Sequence, residues 1–263
     1  MIAQARVQEM GAPRVFPESQ TVPLKPTPQK RFPMSSITTT IGLRASGKST
    51  LLKILAKLAN NGITRHVDVS EIVDLNIKRN TALGQELRYY KGAMDTGGLI
   101  PSELIVRVCV NYTELQQKAC GGKVHLLLAG LPRTVDQIDF LEMFHDYKVI
   151  HIACTKEQML AAVHSRDKQL GIPRTDSHEA ALLNHWEKYH DNIDAILGRL
   201  GDKVLQLHRG DSLYDRITNS IKHMAAPKNV KYDLLNRFNE PTHGIHTVTH
   251  QLTGEDTTMG RRH

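Results

Sequence analysis

Apolar residues along the middle of the chain switch between two periods, and the switches mark out its elements. Ile37 to Ile41 is a short β-branched run that reads as a strand. Leu51, Leu52, Ile54, Leu55 and Leu58 follow at helical spacing, with Lys53 and Lys57 between them. Arg65 to Val69 predicts a second strand, and Ile72, Val73, Leu75 and Ile77 predict the helix after it. Thr81 to Met94 predicts a further helix, closed by Gly97-Gly98. Pro101-Ser102-Glu103 opens another that runs through Val110 to Leu115, with proline and acid in its first turn. Val124 to Leu128 is a continuous apolar run, the mark of a strand buried on both faces. The pattern then gives a helix over Val135 to Phe144, a strand over Val149 to Ala153 and a helix over Lys156 to Arg166. A long helical stretch within Arg174 to Leu200, a strand at Val204 to Leu207 and a helix over Asp211 to Met224 complete the series. Strands alternating with helices imply a parallel β-sheet flanked by helices on both faces, one α/β domain over residues 35–224.

The ends of the chain read differently. Residues 1–34 carry six prolines, Pro13, Pro17, Pro23, Pro26, Pro28 and Pro33, with little periodicity and five basic against two acidic residues. Such a segment is expected to stay extended or disordered, as an arm that docks on a partner or as an organelle-targeting leader. Residues 225–263 form a polar tail. His243, His246 and His250 have a spacing that a helix-bound metal could use, but no Cys or carboxylate cluster completes a site, and a solvated tail is the simpler reading.

Composition narrows the class. The 263 residues are 40% hydrophobic and 23% charged, values of an ordinary globular chain. No apolar run approaches the roughly 20 residues that span a bilayer. Cys109, Cys120 and Cys154 make no disulfide framework, which points to an intracellular setting, cytoplasmic or organellar, with mitochondria one option. The formal net charge of +7 suits phosphorylated ligands and by itself identifies no nucleic-acid partner.

The first strand runs into Gly42-Leu43-Arg44-Ala45-Ser46-Gly47-Lys48-Ser49-Thr50. Four residues separate the glycines, and Lys48 and Ser49 follow directly, which fits the phosphate-loop pattern G-x-x-x-x-G-K-[ST] (Walker A). Strand, glycine loop and helix occur in the order the motif needs, which a chance Gly/Ser turn would not supply. The loop's N–H groups can converge on phosphate oxygens, and the helix N-terminus adds partial positive charge. Lys48 is expected to reach the outer phosphates of ATP, and the Ser49 hydroxyl to ligate Mg²⁺.

Further motifs follow in order. Thr81-Ala82-Leu83-Gly84 precedes Met94-Asp95-Thr96-Gly97-Gly98-Leu99-Ile100-Pro101, and Gly130-Leu131-Pro132-Arg133-Thr134 precedes Gln137. Arg166, Arg174 and Asp176 come later. Over residues 37–224 this order resembles the adenylate kinase and nucleoside monophosphate kinase family, as a divergent member. The resemblance implies a P-loop NTPase fold and phosphoryl transfer from ATP, with Mg²⁺, to a nucleoside monophosphate. It makes 66–115 the acceptor-binding arm and 166–176 a short lid. Arg133 would clamp the acceptor phosphate, Gln137 would bond the acceptor base, and Gly98, Leu99, Ile100 and Gly130 would line the acceptor pocket. Arg166 and Arg174 would cover the charge of the moving phosphoryl group, making them catalytic with Lys48 and Arg133. Trp186 and Tyr189 are expected to pack rather than stack on a base.

The chain also departs from that family's pattern. Where the family has an aspartate that helps hold the Mg²⁺ shell, this chain has Ala129. Val69 stands in place of an acceptor threonine, and Asp74, Ala162 and His185 in place of arginines. Arg65, Lys78, Arg79 and Arg88 are the neighbours available to replace them. Two expectations follow. One is an active kinase with altered acceptor preference. The other is an adenylate-kinase-like module without turnover, serving as a structural or nucleotide-binding subunit of a protein assembly that its two extensions join. A different small-molecule kinase on the same scaffold is a third option.

Overall fold

A computed structural model describes residues 31–59, 61–95, 98–171 and 178–225. Five strands, β1 (Phe32–Gly42), β2 (Thr64–Asp68), β3 (His125–Ala129), β4 (Phe144–Ala153) and β5 (Val204–His208), form one sheet in the order β2-β3-β1-β4-β5. Every neighbouring pair is parallel. The helices are α1 (Lys48–Ala59), α2 (Val69–Lys78), α3 (Ala82–Asp95), α4 (Ser102–Ala119), α5 (Ile138–Glu142), α6 (Lys156–Leu170), α7 (Glu179–Leu200) and α8 (Leu213–Ala225). This is the α/β P-loop NTPase fold.

Side-chain alternation along the strands divides the core. Leu126 and Leu128 of β3 face a cluster that holds Ile72 and Val73 of α2, Val108 of α4, Phe140 of α5 and Ile193 and Ile196 of α7. Leu127 and Ala129 face the opposite side, with Leu51, Leu52, Ile54 and Leu55 of α1 and Ile217 and Ile221 of α8. Burial on both faces is why β3 reads as an unbroken apolar run. Each fully buried Leu or Ile contributes about 1.5–3 kcal/mol against its exposed state, so both layers are needed.

Three boundaries differ from the sequence pattern. The helix expected over Val135 to Phe144 is a 3-10 turn at Val135–Gln137 followed by the short α5, and Phe144 already opens β4. The Phe144 ring sits 4.8 Å from that of Phe32 and 5.3 Å from that of Phe140, and Phe32 N–H donates to Met143 O at 2.8 Å. Those contacts draw both strands outward past the central sheet, and the polar residues His145, Asp146 and Lys148 conceal the extension from a periodicity search. For the same reason β1 begins at Phe32, inside the segment expected to lie outside the fold. Val69, expected to close the second strand, instead opens α2, while the long helical stretch expected within Arg174 to Leu200 is α7. Arg174, Asp176 and the rest of 172–176 in the expected lid lie outside the described residues, as do residues 1–30 and the tail beyond 225 with its three histidines. No described helix is long and apolar enough to cross a membrane.

Candidate functional site

The sheet order places the site. From β1 the chain crosses to β2, returns to β3 beside β1, and then passes to the other side of β1 for β4 and β5. That change of direction opens a crevice at the carboxyl ends of β1 and its neighbours, where ligands bind in open α/β sheets. The glycine loop leaves β1 at this point. Gly42 and Gly47 have φ of 146° and 98°. A Cβ on Gly42 would lie 2.6 Å from Ile152 O on β4, and one on Gly47 would lie 2.9 Å from Arg216 Nη1 on α8. The Ile152 carbonyl excludes a side chain at Gly42, and the positive φ at both positions favours glycine.

Lys48 heads α1 and folds back over the loop, with Nζ donating to Gly42 O at 2.9 Å and Leu43 O at 2.5 Å, and lying 3.4 Å from Ser46 Oγ. Burial, and then the Arg133 guanidinium, pull its ammonium from 10.5 down to about 7, while Asp68 pulls the other way. Ser46 is fully buried, Arg44, Ala45 and Ser49 are half-buried, and Thr50 is exposed. Ser49 Oγ donates to the Asp68 carboxylate, 3.0 Å from Oδ1 and 2.8 Å from Oδ2. Asp68 closes β2 directly beside Ala129, its register partner on β3.

Arg133 comes from the turn after β3. Gly130 takes φ 94° there, Arg133 Nε donates to Gly130 O at 3.2 Å, and Arg133 N–H donates to the Gln137 Oε1 at 2.7 Å. Buried Gln137 therefore holds the turn that aims the arginine. Thr134 Oγ1 is 2.8 Å from Ser102 Oγ, tying that turn to the start of α4. Burial, with help from Arg44, lowers the Arg133 guanidinium to about 10, so it stays charged at neutral pH.

One cleft brings the two halves together. Its walls include Gly42, Arg44, Lys48, Leu99, Gly130, Arg133, His185, Lys188 and Tyr189. Tyr189 does more than pack: its hydroxyl lies 2.5 Å from Nε2 of buried His151. Trp186 stays off the cleft wall and packs against His190, the rings 4.3 Å apart and tilted by 46°. Ile100 is buried and Gly98 half-buried next to Leu99. His185 stands in the cleft where the family resemblance led to an arginine. Burial, then Arg133, Arg44 and Lys48, drive it down to about 2, so it is neutral at physiological pH.

Other expected groups are not on this wall. Arg166 is not among the lining residues and sends Nε and Nη2 to Asp167 Oδ1, each at 3.2 Å. Asp74 pairs with Lys91 Nζ at 3.0 Å. Arg65 donates to Thr64 O at 2.9 Å, Arg88 to Ile77 O at 3.3 Å, and Lys78 and Arg79 are exposed. None of the four takes over for the missing arginines within the described contacts. Two arginines outside the sequence motifs do reach the loop. Arg209 Nη1 donates to Ala45 O at 2.5 Å, and Arg216 Nη1 lies against Gly47. Their only signal in sequence is basic charge after the last strand.

A phosphate-binding loop at the switch point of a parallel sheet, with a facing arginine turn on the next strand, defines a nucleotide-binding P-loop protein of the kinase class. Comparison sharpens this. The chain is 32% identical over 184 residues to the adenylate kinase of Chlamydia muridarum, an alignment covering 61% of this chain and 69% of that protein. It is 23% identical over 175 residues to the adenylate kinase of Corynebacterium urealyticum, covering 66% and 91%. Over a shorter stretch of 104 residues it is 38% identical to the adenylate kinase of Clostridium beijerinckii, covering 40% and 44%. The chain belongs to the adenylate kinase family. No protein-family model matches it.

Proposed function

We propose that the chain is a nucleoside monophosphate kinase that moves the terminal phosphoryl group of ATP onto a nucleoside monophosphate. The observation that carries this is the meeting of Lys48 and Arg133 in one cleft. Each is half-buried, each lowers or is lowered by a neighbouring cation, and neither has a carboxylate at ion-pair distance among the described residues. Partly buried cations held side by side without a counter-charge favour an anion between them, and a phosphate is the anion this loop geometry accepts.

In this reading the loop N–H groups and Lys48 hold the donor phosphates, with Arg209 and Arg216 adding positive charge at Ala45 and Gly47. Arg133 takes the acceptor phosphate with a two-pronged guanidinium contact. Gln137 keeps that guanidinium aimed, and Gly98, Leu99 and Ile100 border the acceptor base. Transfer then depends on in-line positioning and on charge neutralisation, with no covalent intermediate required of the protein. Mg²⁺ fits here: the Ser49 hydroxyl beside a carboxylate supplies hard oxygen donors, and the cation when bound neutralises the charge of the donor phosphates. Arg174 and Arg166 are proposed for the lid side. The acceptor side is altered, since Asp74 is neutralised by Lys91 and offers no cation.

Equilibrium titration tests the two halves separately. Lys48→Ala is expected to weaken ATP about tenfold or more while leaving monophosphate binding nearly intact, and Arg133→Ala to do the reverse, as loss of a charged hydrogen bond of about 1.5–3 kcal/mol implies. Equal loss of both ligands in both variants, or binding of neither nucleotide by the unaltered protein, contradicts the two-site assignment.

A further inference from the structure

We infer that Asp68 is the carboxylate of the divalent-cation site, standing at the tip of β2 where the neighbouring tip of β3 carries Ala129. The inference rests on the ATP-binding reading of the loop. Phosphate-loop kinases and ATPases hold their Mg²⁺ with the loop Ser or Thr and an aspartate from a nearby strand end. Here the strand next to the loop ends in Ala129, which has no donor atom. Asp68 is paired with it in register, one strand farther out, and still reaches Ser49 with both carboxylate oxygens, at 3.0 and 2.8 Å. Adjacent strands stand only about 4.8 Å apart, a gap that one side chain's length can span.

His66 Nε2 lies 3.6 Å from Asp68 Oδ1, the oxygen that Ser49 Oγ also meets at 3.0 Å. Among the described residues no group of three or more His, Cys, Asp or Glu gathers as a metal site. One carboxylate and one hydroxyl completed by nucleotide phosphates and water is the usual way a protein holds Mg²⁺. A simpler role for Asp68 exists, because it is the N-cap residue of α2 and its N–H is accepted by Glu71 Oε2 at 3.3 Å. Capping needs a short polar side chain, which Ser or Asn also provides. It does not need a negative charge aimed at the loop serine.

The two roles separate by measurement. Titrate the full-length protein, Asp68→Asn and Asp68→Ser with ATP in EDTA and with Mg-ATP, and count Mn²⁺ bound in the presence of ATP by electron paramagnetic resonance. Both variants keep a capping side chain. The unaltered protein should prefer Mg-ATP over metal-free ATP. In both variants that preference should fall at least tenfold, with metal-free ATP bound as well or better because a repelling charge is gone, and the Mn²⁺ signal should weaken in step. An unchanged preference, or equal weakening of ATP and Mg-ATP, overturns the inference and leaves Asp68 as a helix cap. If the unaltered protein binds neither form, the underlying ATP-binding reading fails, and this inference fails with it.

Discussion

Burial sets the charge of individual side chains around the cleft, and His185 shows the effect most strongly. Its Nδ1 is buried without a hydrogen-bond partner among the described residues, and three nearby cations oppose its protonation. Unfolded, it would titrate near 6.5; folded, it is lowered to about 2. Between those values the unfolded chain carries a proton that the folded chain refuses, so stability falls as pH is lowered through that window. From pH 7 to pH 5 this one group should cost about 2 kcal/mol. His185→Gln should therefore lose several degrees less of its Tm than the unaltered protein over that step, as read by thermal melts at both pH values. Parallel losses would remove His185 as the source. The histidine's place in the cleft was legible only through the family resemblance, since a single His within a helix has no distinguishing period. Lys48 and Ser49 were legible without it, because the phosphate loop is contiguous and its chemistry depends on spacing. Asp68, Arg209 and Arg216 were not, because each acts on the loop from a distant element and no local pattern marks them.

Among the elements, β1 combines position with a strain that can be measured. Thr38, Thr39 and Thr40 are fully buried at its centre. Thr39 Oγ1 donates to Leu128 O at 2.8 Å and contacts Leu131 O, bracing the turn that carries Arg133. The hydroxyls of Thr38 and Thr40 face the α1 and α8 side and have no partner among the described residues. A buried hydroxyl left unpaired costs about 1–3 kcal/mol, and valine has nearly the same shape. Thr38→Val or Thr40→Val should raise Tm by several degrees in differential scanning calorimetry with nucleotide binding intact; a lowered Tm would show that the hydroxyl is used. Most elements could be read from the sequence because their apolar pattern is regular, a helical period in α1 and an unbroken run in β3. The Phe144 end of β4 could not. Its pairing is fixed by Phe32, which lies more than a hundred positions earlier, and a helix period fits the same letters locally.

At the scale of the molecule, one sheet carries both halves of the proposed two-substrate site. The glycine loop leaves β1, Arg133 leaves β3, and α7 closes the cleft with His185, Lys188 and Tyr189. Sheet order explains why residues so far apart in sequence converge, and the alternation of strands and helices already implied that architecture. Where the family resemblance leads to arginines, positions 74, 162 and 185 have none, while Arg209 and Arg216 stand at the glycine loop. An arginine on the transition state can be worth 10³–10⁵ in rate, so turnover is what the proposed kinase reading stands or falls on. The direct measurement is ADP release from Mg-ATP across a panel of nucleoside monophosphates, with Lys48→Ala as control. Acceptor-dependent ADP release with at least one monophosphate, at least a hundredfold above that control if Lys48 contributes about 3 kcal/mol to the transition state, is the expected result. Release no faster than the control with every acceptor would contradict the kinase assignment.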